Sequence, residues 1–146
     1  MGFGLGSACG AKLANPGRPV LLFTGDGCFR MNSSEMGTLV KYRIPILIIV
    51  FNNRSLGMVR QLQNLFYQGR YSETDLSAKP NFVKLAEAYG IAGRSATDRA
   101  SFVKALAAAG EELAQGHAFL IDAQVHRDEK VLPMVPSGRP IDEQIL

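Results

Sequence analysis

The 146-residue chain has no tryptophan, two cysteines and two histidines. Cys9 and Cys28 lack any metal-ligand spacing, so they read as two small hydrophobes in a reducing compartment, expected to be the cytoplasm. His117 and His126 are separated by a strand-like stretch and imply no ligand pair; both read as surface residues. No apolar run reaches the ~18 residues of a membrane-spanning helix. No signal-peptide pattern opens the chain. Nor is there a block of one charge. The 16 basic residues are scattered and the net charge is only +3, which argues against a nucleic-acid-binding face. Repeats and low-complexity segments are absent as well. A composition 47% hydrophobic and 20% charged is that of a soluble globular protein. Its length suits one domain that buries about 70% of its unfolded surface.

What is present is concentrated in residues 20–53. Val20-Leu21-Leu22-Phe23-Thr24 is a short apolar run ending in Gly25-Asp26-Gly27, and Ile46-Leu47-Ile48-Ile49-Val50-Phe51 is another ending in Asn52-Asn53. Such runs, bounded by Gly or Asn, read as strands buried on both faces. Between them, Ser33 and Ser34 offer an N-cap for a helix over 35–42, which Pro45 prevents from continuing. A strand–helix–strand crossover makes the strands parallel, and parallel neighbours end at the same edge. Asp26 and Asn53 are therefore expected together at the carboxyl edge, where open α/β sheets bind ligands.

One carboxylate and one amide oxygen form a poor cage for a bare cation. They form a good partial shell for magnesium, which prefers oxygen, keeps waters and takes its other ligands from substrate phosphates. Glycines beside Asp26 let backbone N–H groups approach an anion. These residues point to a magnesium-bridged diphosphate.

The remaining chain alternates helices and strands. Residues 2–14 carry Gly2, Gly4, Gly6 and Gly10 among small residues, a weak helix that makes sense when packed very close to a sheet or cofactor. Gly2-Phe3-Gly4 does not make a dinucleotide fingerprint, which needs a preceding strand and an acidic residue at the second strand's end. Met58, Val59, Leu62 and Leu65 keep helical spacing, and a helix opening near Gly57 aims its N-terminus at an anion held by Asp26 and Asn53. Residues 68–81, ending in Lys79-Pro80, read as a loop. Residues 82–89 form an amphipathic helix closed by Gly90, and residues 91–95 are a short strand candidate. Thr97 or Asp98 caps a helix with Phe102, Val103, Leu106 and Leu113 on one side, and Ala118–Val125 returns as a strand. The tail after Lys130, with Pro133, Pro136 and Pro140, is expected to be irregular. Glu35 begins a helix and is expected to favour the dipole and a local hydrogen bond rather than act as a general base. The class expected is α/β, three-layer, with a parallel sheet and helices on both faces.

Gly25-Asp26-Gly27, residues 28–51 and Asn52-Asn53 together resemble the thiamine diphosphate motif. Within that superfamily, five stretches resemble the catalytic (large) subunit of acetohydroxyacid (acetolactate) synthase: residues 1–5, 56–61, 65–67, 70–76 (Arg70-Tyr71-Ser72-Glu73-Thr74-Asp75-Leu76) and 133–136. The resemblance implies that residues 1–146 are one partial C-terminal cofactor-binding domain of a polypeptide several times longer. It implies magnesium ligands Asp26, Asn53 and the backbone carbonyl of Ser55, whose side chain is then free to vary; Asn52 reads as structural. Gly25, Gly27, Cys28 and Gly57 fall where family members approach the diphosphate, and Cys28 replaces a common Ser or Ala. Met31 matches the apolar residue that props the thiazolium. Met1 aligns with a residue whose backbone meets the aminopyrimidine. Met58 matches the residue flanking the diphosphate and the substrate pocket, and Leu62 matches a residue lining that pocket, where it replaces a usual Trp and leaves acceptor preference open. Gly6 and Ser137 replace usual prolines.

By the same resemblance, the intact enzyme decarboxylates pyruvate and joins the two-carbon unit to a second 2-oxo acid in branched-chain amino-acid synthesis. Expected partners are 2-oxo acids, further copies of the full-length subunit (dimer or tetramer) and a regulatory small subunit. FAD is expected in the full-length enzyme, without an evident site here. No catalytic acid is expected in this chain, because the family's pyrimidine-facing Glu comes from another domain on a neighbouring subunit. Two alternatives stand beside this reading: another thiamine-diphosphate-dependent oxidase or carboligase, and a non-catalytic magnesium/nucleotide-binding α/β module.

Overall fold

The computed structural model describes residues 1–78 and 80–146; Lys79, placed by the sequence near the end of a polar loop, lies outside the described residues. Four strands, β1 (Leu21–Gly25), β2 (Leu47–Asn52), β3 (Ala92–Ala96) and β4 (Phe119–Gln124), form one sheet in the order β1-β2-β4-β3. All pairings are parallel. The central strands are the apolar runs: Ile46, Ile48, Ile49, Val50, Leu120 and Ile121 are essentially inaccessible. Each such side chain contributes about 1.5–3 kcal/mol by leaving water.

One face of the sheet carries α1 (Gly4–Ala14), α2 (Asp26–Asn32), α3 (Met36–Tyr42) and α5 (Phe82–Ala88) around a core of Leu5, Phe29, Met36, Leu39 and Phe82. The small residues of α1 allow close approach: a β-carbon at Gly4 would stand 2.9 Å from Leu22 Cδ1, while Gly6 and Gly10 face open space. The other face carries α6 (Arg99–Ala114). Asp98 supplies its N-cap, accepting from Ser101 N while Ser101 Oγ accepts from the cap's own N–H. The buried stripe of α6 is Ala105 and Ala109, with Phe102 and Leu113 beside it; Val103 and Leu106, assigned to that stripe from sequence, turn outward.

Two further expectations need correction. β1 is not covered on both faces. It is an outer strand, and Leu21 and Phe23 are open, with Phe23 stacked on Phe51 at 6.0 Å because α6 does not reach them. Nor do Ser33 and Ser34 cap the crossover helix. The chain enters α2 directly from β1, and both serines lie in a 3-10 turn (Ser33–Glu35) leading into α3, whose N-cap is Glu35. Glu35 does make a local hydrogen bond, accepting from Thr38 Oγ1 at 2.8 Å.

Candidate functional site

The register pairs Gly25 with Phe51, so Asp26 follows β1 beside Asn52, with Asn53 one residue further on. Asp26 is the first residue of α2 and only 2% exposed; its Oδ1 accepts from Gly27 N at 3.0 Å. Asn53 Oδ1 accepts from Ser55 N at 3.1 Å, the side-chain turn that Asn readily makes. Arg54 between them adopts a left-handed φ of 57°, which turns the chain from β2 into α4 (Gly57–Phe66). Gly57 leaves room for the Asn53 amide there: a β-carbon at position 57 would lie 2.6 Å from Asn53 Nδ2, and the amide would have to move.

Ser55 is buried, and its Oγ donates to Thr74 O at 2.9 Å. This corrects the expectation of a freely variable side chain: the hydroxyl ties a second segment to the turn. Leu56 N donates to Thr74 O and Leu76 N to Arg54 O, both at 2.9 Å. Residues 74–76 thereby dock on residues 54–56, and Leu56 and Leu76 flank Gly27, where a β-carbon would stand 2.9 and 3.5 Å from their methyls. The sequence showed residues 70–76 as part of a polar loop and as a family-like stretch, but not that they dock here; pairing across so many positions leaves no local signal.

The apolar residues of α4 do not face the core. Met58 and Leu62 are 56% and 41% exposed, and the buried residue of the helix is Gln61. Gln61 exchanges hydrogen bonds with the backbone of Val131, accepting from its N at 2.8 Å and donating to its O at 3.1 Å. Arg60 pairs with Asp128 at 2.7 Å and lies over the Tyr71 ring at 3.7 Å. These contacts tether the tail to α4 and leave Met58 and Leu62 open. Met1, Cys28 and Met31 are exposed too. Gly2, at φ 74°, brings the N-terminal residues against Met31.

Asn52 is fully buried and donates to Asp122 Oδ1 at 2.7 Å, while Gln124 donates to Asp122 Oδ2 at 2.8 Å. Among the described residues no group of three His, Cys, Asp or Glu gathers around one point. The donors at the edge are one carboxylate, one amide oxygen and backbone carbonyls. That set suits a hard cation whose remaining ligands are phosphate oxygens and water, and the glycines at 25, 27 and 57 keep the backbone accessible beside it.

Residues 1–123 match the family model for the thiamine pyrophosphate enzyme C-terminal TPP-binding domain. The chain belongs to this family. It is 46% identical over 92% of its length to an acetolactate synthase large subunit of Buchnera aphidicola, of which it covers 23%. It is 40% identical over its whole length to the acetolactate synthase isozyme 3 large subunit of Escherichia coli, covering 25%. Among solved structures, a thiamine diphosphate-dependent 4-hydroxybenzoylformate decarboxylase of Rhodococcus jostii superposes with a TM-score of 0.80 at 33% identity, over 89% of this chain and 24% of that one. The chain thus spans about a quarter of the relatives it matches. No helix among the described residues is long and apolar enough to cross a membrane.

Proposed function

We propose that residues 1–146 form the diphosphate- and magnesium-holding part of an acetolactate synthase catalytic subunit, a longer cytoplasmic polypeptide that works as a homo-oligomer with a regulatory subunit. The observation that carries this reading is the parallel register that sets Asp26 beside the Asn52–Asn53 turn. Asp26, Asn53 Oδ1 and the Ser55 carbonyl hold the magnesium, and the N–H groups near Gly27 and Gly57 meet the diphosphate. When bound, thiamine diphosphate supplies the carbanion chemistry that decarboxylates one 2-oxo acid and joins it to another.

The protein's task is then placement and charge neutralisation. Asp26 provides the one negative protein ligand, locked by its hydrogen bond to Gly27 N. Asn53 is set by its own turn and by contact with Gly57. Met31 would support the cofactor ring, the Met1 backbone would border it, Cys28 would meet the diphosphate, and Met58 and Leu62 would present an apolar surface to the 2-oxo acid. No acid in this chain is assigned to proton transfer. That group is expected from elsewhere in the assembled enzyme.

The test is pyruvate consumption and product analysis with magnesium, thiamine diphosphate and FAD, on the full-length polypeptide and on this chain alone. Acetolactate formed by the former and none above blank by the latter fits the proposal. An aldehyde as the sole product of the full-length enzyme points to a simple decarboxylase. Turnover by this chain alone places the acid within it.

A further inference from the structure

A cleft of about 720 Å³ opens at the far side of the sheet's carboxyl edge, away from Asp26 and Asn53. Its walls carry Lys84 of α5, Arg94 of the outer strand β3 and Lys104 of α6. Three cations from three separate elements thus line one hollow. Among the described residues none of them is in an ion pair, whereas Arg60, Arg127 and Arg139 each have a carboxylate partner. Two acids also line the cleft. Asp122 already accepts amide N–H groups on both oxygens, from Asn52 and Gln124.

We propose that this cleft is a second ligand site, which takes a small multiply charged anion bearing phosphate or carboxylate groups. Basic residues beside an open strand edge also deter pairing with another chain. Only Arg94 lies on the strand, however. The lysines reach in from helices on either side, and the volume is that of a small-molecule site. The residues of the Asp26–Asn53 site do not line the cleft. The inference therefore stands independently of whether thiamine diphosphate binds at that site. A chain of two hydrogen bonds, from Gln124 to Asp122 and from Asn52 to Asp122, nevertheless links the cleft to the residue preceding Asn53; the second of them is buried.

The test uses the full-length polypeptide saturated with magnesium and thiamine diphosphate, so that the diphosphate site is filled. Inorganic phosphate is titrated in one calorimetric arm and succinate in another, at constant ionic strength. Saturable one-to-one binding of either supports the proposal, and the tighter probe identifies a phosphate or a carboxylate ligand. Lys84, Arg94 and Lys104 are exposed, so charge reversal leaves folding intact. Arg94→Glu and Lys104→Glu should each weaken binding about tenfold or more, the scale of one lost charge-assisted hydrogen bond, while Arg139→Glu leaves it unchanged. Absence of saturable binding by both probes overturns the proposal. So does binding that survives both charge reversals, which would mark an adventitious ion only.

Discussion

A β-carbon at Gly57 would stand 2.6 Å from Nδ2 of Asn53, so the start of α4 and the Asn53 amide occupy adjoining space. Gly57→Ala must push Asn53 aside, at about 1–3 kcal/mol of local strain. Part of this is offset by the better helix propensity of Ala, ~1 kcal/mol. In the full-length enzyme, apparent affinity for thiamine diphosphate at fixed magnesium should fall about tenfold while the melting temperature changes little. Unchanged cofactor affinity would show that the position of Asn53 is irrelevant to binding.

Ser55→Ala removes the hydroxyl that holds Thr74 O. Thr74 O keeps its bond from Leu56 N, so the cost should be modest, about 1 kcal/mol. The local signature is faster hydrogen exchange at the Leu56 and Leu76 amides, which bond across the same seam. Exchange that stays at the parent rate would mean that the hydroxyl does not anchor residues 74–76.

These contacts mark the limit of what the sequence discloses. β2 and β4 were legible because Ile46–Val50 and Phe119–Ile121 are continuous apolar runs, and a buried parallel strand can hardly be built otherwise. α2 was not legible. It has seven residues, Phe29 is its one buried apolar side chain, and Gly27 sits inside it, so no periodicity develops. Ser33 and Ser34 then looked like a cap because the chain's true entry into helix is at Asp26. The exposure of Phe23 follows from the place of β1 in the sheet order, which composition does not encode. At the site, the pairing of Asp26 with the Asn52–Asn53 turn was readable from parallel topology. Thr74, Gln61 and Asp122 were not, because each acts through contacts many positions away.

Asp75 offers a pH test. Hydrogen bonds from the Ser77 hydroxyl and backbone N–H, and then from Arg127, lower its carboxyl from the ordinary 3.8 to about 2. A depressed folded-state value contributes stability above the unfolded value and loses it as pH falls through the folded one. The Asp75 contribution should therefore be complete above about 3.8 and decay toward 2. Asp98, held by Ser101, and Asp128, held by Arg60, are shifted in the same direction. Asp75→Asn should flatten the acid side of the curve of urea midpoint against pH. A parallel curve would show that Asp75 is not held by Ser77 and Arg127 in solution.

Leu62 is open and one helical turn from Met58, the spacing at which two side chains share a helix face. Leu62→Trp enlarges that face. In the full-length enzyme it should shift product ratios toward the larger acceptor when pyruvate and 2-oxobutyrate compete, by the ~1–3 kcal/mol typical of apolar discrimination. A constant ratio places Leu62 outside the acceptor pocket.

The claim that Asp26 and Asn53 hold a magnesium-bridged diphosphate is tested most directly by calorimetry on the full-length polypeptide. Thiamine diphosphate and ADP are titrated separately, each with and without magnesium, into the parent protein and into Asp26→Ala. The account predicts magnesium-dependent binding of thiamine diphosphate in preference to ADP, with most of the magnesium-dependent part lost in Asp26→Ala. Equal binding of ADP, or a magnesium dependence that persists without the Asp26 carboxylate, would contradict it.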